Sequence, residues 1–399
     1  MKVRYMVVVS LMVLALIVVG CVKPAPPAPE VTPEVEEFVM PEVIYMSSLG
    51  VESGNYAQAA IIADAMMKKY GVRMRVIPGG TSPERLNLLR GGDVHVWGEG
   101  SGQWAPFEGL DDYGLPAWGP QSLRMIWRGP YPQGCSLMTA CDANIKTPAD
   151  LKGKKVGWLV GDPGRQLLMA AYLAFANLTW DDVIKVEFPS HSAWQQGLVT
   201  GKHDALVNPP SSPSSYELEA SPRGCCWPTI DPDDKEAWTR MTAVCGYIFP
   251  FKASGGAGME PGKTYDITTF PGMGFTVYAS ASEDFVYNLA KMINESYDLY
   301  KDQELVNTFN AEQAMKTPVG YHPYHEGTVK YLKEIGYWTA EHEAWQNEML
   351  ERDRILQATW KAAREEAIEK EMSIEDSRDF WLEKRAEALK KAGLPVYGF

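Results

Sequence analysis

Apolar and polar positions follow two rhythms along this chain, and the rhythms alternate in order. Val43-Ile44-Tyr45-Met46 is a short apolar run with β-branched residues, 47–55 reads as a turn, and 56–70 carries Ala60, Ile61, Ala63, Ala65 and Met67 through a helix. Lys68 and Lys69 fall in its last turn, where the helix dipole favours cations, and Gly71 is the stop. A strand is expected over 72–77, a short helix over 83–90 and a third strand over 94–97. This β-α-β-α-β order predicts a mostly parallel sheet covered by helices, an α/β fold.

The pattern then restarts. Strands are expected over 155–160, 183–188 and 204–207, with helices over 165–177 and 192–200. Two α/β units in series imply two lobes with a cleft between them. Ligands of open α/β sheets sit beyond the carboxyl ends of the strands. Those ends are the loops at 47–56, 78–82, 97–104, 161–166, 189–193 and 208–215. The region 339–392 differs. Thr339 can cap a long helix to about Met372, with Trp345, Met349, Leu356, Trp360, Ala363 and Ala367 on one stripe that reads as core packing. Ser373 and Asp376 resemble a capping box for a second helix, stopped by Gly393.

The 399 residues are 45% apolar and 22% charged, a globular composition with room for two or three domains. Net charge is −13, or −15 once 1–20, with Lys2 and Arg4, are removed. That balance disfavours nucleic acid as a partner. Beyond the N-terminus there is no apolar run of 18 residues, so a channel or permease is excluded for this chain alone. Residues 7–19 are apolar except for Ser10 and end in Val18-Val19-Gly20-Cys21, the shape of an export signal. That junction resembles the lipoprotein box of bacteria and archaea, which implies lipidation of Cys21 and attachment to a membrane. Residues 22–41 hold six prolines and several acids and read as an extended tether. Five more cysteines follow: Cys135, Cys141, Cys225, Cys226 and Cys245. Export permits disulfides, and the odd number leaves at least one thiol unpaired. Cys225 or Cys226 could reach Cys245 across a loop, or the thiols could stay free and buried.

Catalytic and metal motifs are weak. Residues 258–264 miss the first glycine of a phosphate loop, and His322-Pro-Tyr-His325-Glu326 has Glu and His swapped relative to an inverted zinc motif. No metal, cofactor or catalytic residue is assigned. The strand-end loops look instead like a binding site. Ser48, Gly50, Ser53 and Asn55 lead into a helix, as do Gly80, Thr81 and Ser82, and as do Gly161, Pro163 and Gly164. Small residues let backbone N–H groups approach an anion such as a carboxylate, although Gly and Ser also serve as ordinary turn formers. Arg165 stands in a first helical turn, where a cation opposes the dipole. That placement points to a ligand carboxylate gripped by two parallel N–H···O bonds, with pairing to Asp162 as the plainer alternative. Glu99 could hold an amine, and Trp97, Trp104 and Tyr56 could supply walls. Gln166, Asn208 and Ser211 complete the candidate set.

Several of these segments resemble the TAXI-type solute receptors of TRAP transporters. They are S-L-G-V-E-S-G-N-Y at 48–56, GGTSPERLNLLRGGDVHV at 79–96, IKTPADLKGKKVGWLVGDPG at 145–164, G-K-H-D-A at 201–205 and Y-H-E-G at 324–327. Pro163-Gly164-Arg165-Gln166 stands where that family usually has P-G-S-G-T. The resemblance implies a two-lobed type II periplasmic-binding-protein fold that closes on a small solute, an amino acid or organic acid, and delivers it to TRAP-type permease subunits. The expected layout is a signal peptide at 1–20, lipidated Cys21 and tether at 21–41, a first lobe at 42–134 plus 276–338, a second lobe at 135–275 and a helical extension at 339–399. The chain should cross back near Phe275-Thr276-Val277. A sensory or scaffold lipoprotein, or an extracytoplasmic enzyme, are the alternatives on this fold.

Overall fold

A computed structural model describes residues 38–316, 320 and 322–398. Cys21 and the export signal lie outside them.

The first sheet holds β1 (Val43–Ser48), β2 (Arg73–Pro78), β3 (Val96–Glu99) and β4 (Leu123–Arg128). The second holds β5 (Ser136–Ala140), β6 (Lys155–Leu159), β7 (Ile184–Phe188), β8 (Ala205–Asn208) and β9 (Cys225–Cys226). A hairpin, β10 (Phe249–Ala253) and β11 (Tyr265–Thr269), follows, and β12 (Gly274–Tyr278) returns to the first sheet. The strand orders are β2-β1-β3-β12-β4 and β7-β6-β8-β5-β9. In each, three parallel strands are followed by one antiparallel strand that has just arrived from the other sheet. This is the two-lobed α/β architecture of type II periplasmic binding proteins, with helices added at the C-terminus. The two crossings between lobes touch each other. A Cβ on Gly272 would stand 2.0 Å from the Gly129 carbonyl oxygen, so only glycine permits the approach.

Four helices follow the strands where the sequence pattern places them: α1 (Gly54–Tyr70), α2 (Ser82–Gly91), α4 (Pro163–Phe175) and α5 (His191–Val199), and three more fall outside that pattern, the short α3 (Trp104–Glu108), α6 (Pro213–Ala220) and α7 (Lys235–Val244). Ser53, Thr81, Asp162 and Ser190 cap α1, α2, α4 and α5 with their side-chain oxygens. Gly71 and Gly92 end α1 and α2 in the left-handed conformation that glycine takes without penalty. After β12 come α8 (Glu283–Glu295), α9 (Ala311–Lys316) and α10 (Glu326–Glu334).

The extension is a hairpin of α11 (Ala340–Glu369) and α12 (Ile374–Lys391), capped by Thr339 and Ser373. Its predicted stripe is inward: Met349, Leu356, Ala363 and Ala367 are buried, and Trp360 meets Trp381 edge-on. The hairpin is fixed to the first lobe by a buried charge cluster. Glu108, at the end of α3, accepts from both Arg352 and Arg385. Those arginines also donate to the Pro395 and Tyr397 carbonyls of the last segment.

Neither Cys225 nor Cys226 pairs with Cys245, and the expected unpaired thiols are present. Cys141 and Cys226 form the disulfide, while Cys245, Cys225 and Cys135 are free and buried. Pairing of β5 with β9 sets Thr139 and Ala140 against Cys226 and Cys225, which brings Cys141 to Cys226 and leaves Cys245 beyond α7. No helix among the described residues is long and apolar enough to cross a membrane.

Candidate functional site

Loops at the carboxyl ends of the strands of both sheets meet face to face, in a closed arrangement. Gly164, in the first turn of α4, packs on the 101–102 loop: a Cβ there would fall 2.7 Å from the Gly102 Cα. His191 N–H donates to the Gly80 carbonyl at 3.3 Å. Glu52, after β1, accepts from Ser192 Oγ at 2.8 Å and lies 3.2 Å from His191 Nδ1. Burial is the largest influence on Glu52 and pushes its carboxyl up. The hydrogen bonds from His191, its own backbone and Ser192 outweigh it and bring the pKa to about 2.

A charged network fills the interface. Glu99, at the end of β3, is 1% exposed and pairs with Arg85 of α2, which is fully buried. Ser82 Oγ lies 3.2 Å from Glu99 Oε2 and 3.3 Å from Asp162 Oδ2, so one hydroxyl spans the two lobes. Arg85 stands 4.0 Å from Asp162. Burial raises Glu99, but the charges of Arg85 and Arg165 overcome it and hold the carboxyl below its usual range. Asp162 shifts the other way, because burial and the nearby Glu99 charge outweigh the two arginines.

Arg165 enters this network without a partner of its own. Its side chain is largely sequestered, with the residue 7% exposed, and its guanidinium carbon lies 5.9 Å from the Trp194 ring centre. The only hydrogen bond that Arg165 makes with Asp162's side chain comes from its backbone N–H, at 3.1 Å. Among the described residues no ion pair or hydrogen bond engages its guanidinium. Other polar atoms at these strand ends also lack partners: Ser48 Oγ, Asn55 Nδ2, Ser101 Oγ and Ser211 Oγ. Tyr131 Oη holds Asn55 by its other amide atom, Oδ1, at 3.1 Å. A buried polar group without a partner is costly, so these atoms are the ones a ligand would satisfy.

The predicted residues therefore divide. Ser48, Asn55, Arg165 and Ser211 present unused polar atoms. Ser53 and Thr81 spend their hydroxyls on capping, Gly80 receives His191, Gly50 accepts the turn bond from Ser53, and Ser82 bridges Glu99 to Asp162. Tyr56 is half-buried at the start of α1. Five placements differ from expectation. Glu99 is neutralised by Arg85 and is not open to an amine. Trp97 is core, packed with Leu86, Leu89, Tyr113 and Leu123, because its position on β3 turns inward. Trp104 stacks edge-on with Tyr247 and Tyr397 under the C-terminal hairpin. Gln166 donates to the Leu159 carbonyl and lines a groove of about 420 Å³ with Trp158, Leu382 and Tyr397. Asn208 is fully used by Gln195, Ser214 and Ser215.

Sequence reasoning missed Arg85, Asp162 as a site residue, Glu52, His191, Ser101 and Tyr131. Arg85 carried the same signal as Arg165, an arginine in the first turn of a βα helix. Tyr131 sits in a lobe crossing and carried none.

Residues 55–336 match the family model described as the NMT1-like family. The chain belongs to the NMT1-like family. No curated protein matches it. Solved structures resemble it in fold. The alkanesulfonate-binding protein SsuA of Xanthomonas axonopodis pv. citri, bound to MOPS, is 14% identical over 78% of this chain and 86% of its own, with TM-score 0.44. The aliphatic sulphonate binding protein SsuA of Escherichia coli is 16% identical over 77% and 90%, with TM-score 0.42. The amino acid ABC transporter substrate-binding protein AbpA of Streptococcus pneumoniae, bound to L-arginine, is 12% identical over 69% and 95%, with TM-score 0.37.

Proposed function

We propose that this protein is an extracytoplasmic, lipid-anchored receptor that closes on a small carboxylate-containing solute and delivers it to a membrane transporter, without chemistry of its own. The observation that carries the reading is Arg165, a buried guanidinium with no hydrogen bond or ion pair among the described residues, where two lobes meet. A cation in that position favours an anion, and closure would remove both from water. Membership of the NMT1-like family and the two-lobed architecture support binding as the activity. Calorimetric titration with a panel of small carboxylates, scored beside turnover of each hit, tests it. Saturable binding without product is expected, and product formation would make the protein an enzyme.

The loop motifs favour a TRAP-type permease as partner. Uptake reconstituted with a TRAP-type permease from the same organism should then follow an ion gradient and persist without ATP. Uptake that requires ATP would assign an ABC transporter instead. Anchoring rests on the Val-Val-Gly-Cys21 junction and the proline-rich stretch behind it. Mass spectrometry of the mature N-terminus should find an acylated Cys21, and an intact Met1 would overturn the anchor.

A further inference from the structure

Helix α5 carries two buried acceptors without a partner among the described residues, His191 Nε2 and Gln195 Oε1. The residues are 2% and 3% exposed and stand four apart, on one face of the helix. Two hydrogen-bond chains, each starting from a group that can only accept, fix both atoms as acceptors. Glu52 is ionised, so the His191 proton sits on Nδ1, 3.2 Å from Glu52 Oε1. Burial, with the charges of Arg165 and Arg85, outweighs Glu52 and holds the imidazole below its usual pKa. The ring is therefore neutral and Nε2 is a bare lone pair. The second chain starts at the Pro209 carbonyl, which takes the Ser215 hydroxyl proton at 2.8 Å. Ser215 Oγ then accepts from Asn208 Nδ2 at 2.8 Å, which turns Asn208 Oδ1 toward Gln195. Gln195 Nε2 donates to it at 3.2 Å, and Gln195 Oε1 is left over.

Both acceptors lie at the lobe interface. His191 meets Glu52 and the Gly80 carbonyl of the first lobe, and Gln195 holds Asn208 at the carboxyl end of β8. Trp194, beside them on α5, has its ring centre 5.7 Å from that of His191 and 5.9 Å from the Arg165 guanidinium carbon. Asp162 Oδ2, with Ser82 at 3.3 Å and Arg85 at 4.0 Å, adds to the accepting side. We infer that the solute carries at least one hydrogen-bond donor besides its carboxylate, and that α5 reads this donor through His191 and Gln195. This deepens the proposed function and rests on it, because it takes the ligand to be a small carboxylate held at Arg165. A hydroxyl, an amide N–H or an ammonium meets the demand. An oxo group brings only lone pairs against lone pairs, and a bare methylene leaves both acceptors unpaired.

Matched sets test this directly. The full mature protein is titrated with succinate, malate and aspartate, with pyruvate, lactate and alanine, and with phenylpyruvate, phenyllactate and phenylalanine. In any set that binds, the better of the hydroxy and amino acids should exceed the unsubstituted or oxo acid by about tenfold or more, the scale of one buried polar group left unpaired. Solute released by denaturing the purified protein, identified by mass spectrometry, should carry both a carboxylate and a donor. A smaller preference in every set that binds, or a released carboxylate without a donor, overturns the inference and leaves the receptor reading intact. Absence of binding by all of these acids, with no carboxylate released, overturns both. His191→Phe and Gln195→Met remove the acceptors and keep similar shapes. At least one should reduce the preference within a set by about tenfold, with little change for the unsubstituted or oxo acid. An equal loss for every member of a set in both variants would make the two residues structural and overturn the inference. Nitrogen NMR of the imidazole, which needs no solute, should find His191 Nε2 unprotonated at neutral pH, and a proton there overturns the inference as well.

Discussion

Two buried clusters in this molecule join arginine to carboxylate, and they are completed differently. Under the C-terminal hairpin, Arg352 and Arg385 converge on Glu108, and two backbone carbonyls take further donors. At the lobe interface Arg85 is matched by Glu99, while the guanidinium of Arg165 shares its charge with Asp162 and Glu99 but makes no hydrogen bond or ion pair among the described residues. A fully paired cluster fixes one geometry. An arginine left over costs stability when sequestered, and that cost is recovered when a ligand supplies the missing anion. The first cluster reads as attachment and the second as recognition, and mutation should tell them apart.

The largest effect is expected at the completed cluster. Glu108→Gln leaves two buried guanidinium groups without their counter-charge and should cost about 3–5 kcal/mol of unfolding free energy. A lowered denaturation midpoint checks it. A midpoint within error of the parent would mean that the hairpin is held by Trp360, Trp381 and their apolar neighbours alone.

Arg165→Ala should give a different profile. Solute affinity should fall by roughly 2–5 kcal/mol, from loss of the charged partner. The unfolding midpoint without solute should fall by less than in Glu108→Gln, because the Arg165 guanidinium makes no hydrogen bond to a carboxylate among the described residues and contributes only its charge toward Asp162 and Glu99. Calorimetry and denaturation of the same variant read both. Unchanged affinity would leave Arg165 as a structural residue and break the contrast.

Gly164→Ala probes the closed contact itself. The added methyl would sit 2.7 Å from the Gly102 Cα and 3.0 Å from the Ser101 carbonyl oxygen, both backbone atoms of the facing lobe. Overpacking of this kind costs about 1–3 kcal/mol. It should fall on solute affinity and spare stability, since an open form relieves it. A drop in the unfolding midpoint equal to the drop in affinity would show that the contact persists without solute.

The part of this contrast that was legible in the sequence is the local part. Strand-to-helix order, Gly71 and Gly393 as stops, and the Thr339 and Ser373 caps follow from rules that act within a few residues, and the structure has them. Arg165 was legible because it opposes its own helix dipole. Its surroundings were not, because Asp162, Ser82, Arg85 and Glu99 converge only once two sheets face each other. Trp97 shows the same limit: its place at a strand end is local, but which face it turns to depends on the register of β3 against β1 and β12. Cys141 finds Cys226 across 85 residues, which no spacing rule specifies.

Acid should separate both clusters from the rest of the molecule. Glu99 and Glu108 are held below the usual carboxylate range by their arginines, which overcome the upward push of burial, so neither takes up a proton near pH 6. His322 behaves otherwise. It is fully buried, with Nε2 3.0 Å from Gln103 Oε1, and burial drives its pKa to about 3, with Arg124 assisting against a carbonyl contact. In the unfolded chain a histidine titrates near 6.5, so between about pH 6.5 and 3 the unfolded state binds one proton more than the folded state. Stability therefore falls as pH drops through that window, by about 1.4 kcal/mol per unit from this group. Unfolding free energies from pH 7 to 5 should show His322→Gln with the shallower slope by that amount below about pH 6.5. Equal slopes would mean that His322 accepts its proton in place, and the acid sensitivity would then belong to the other buried histidines, His191, His203 and His325.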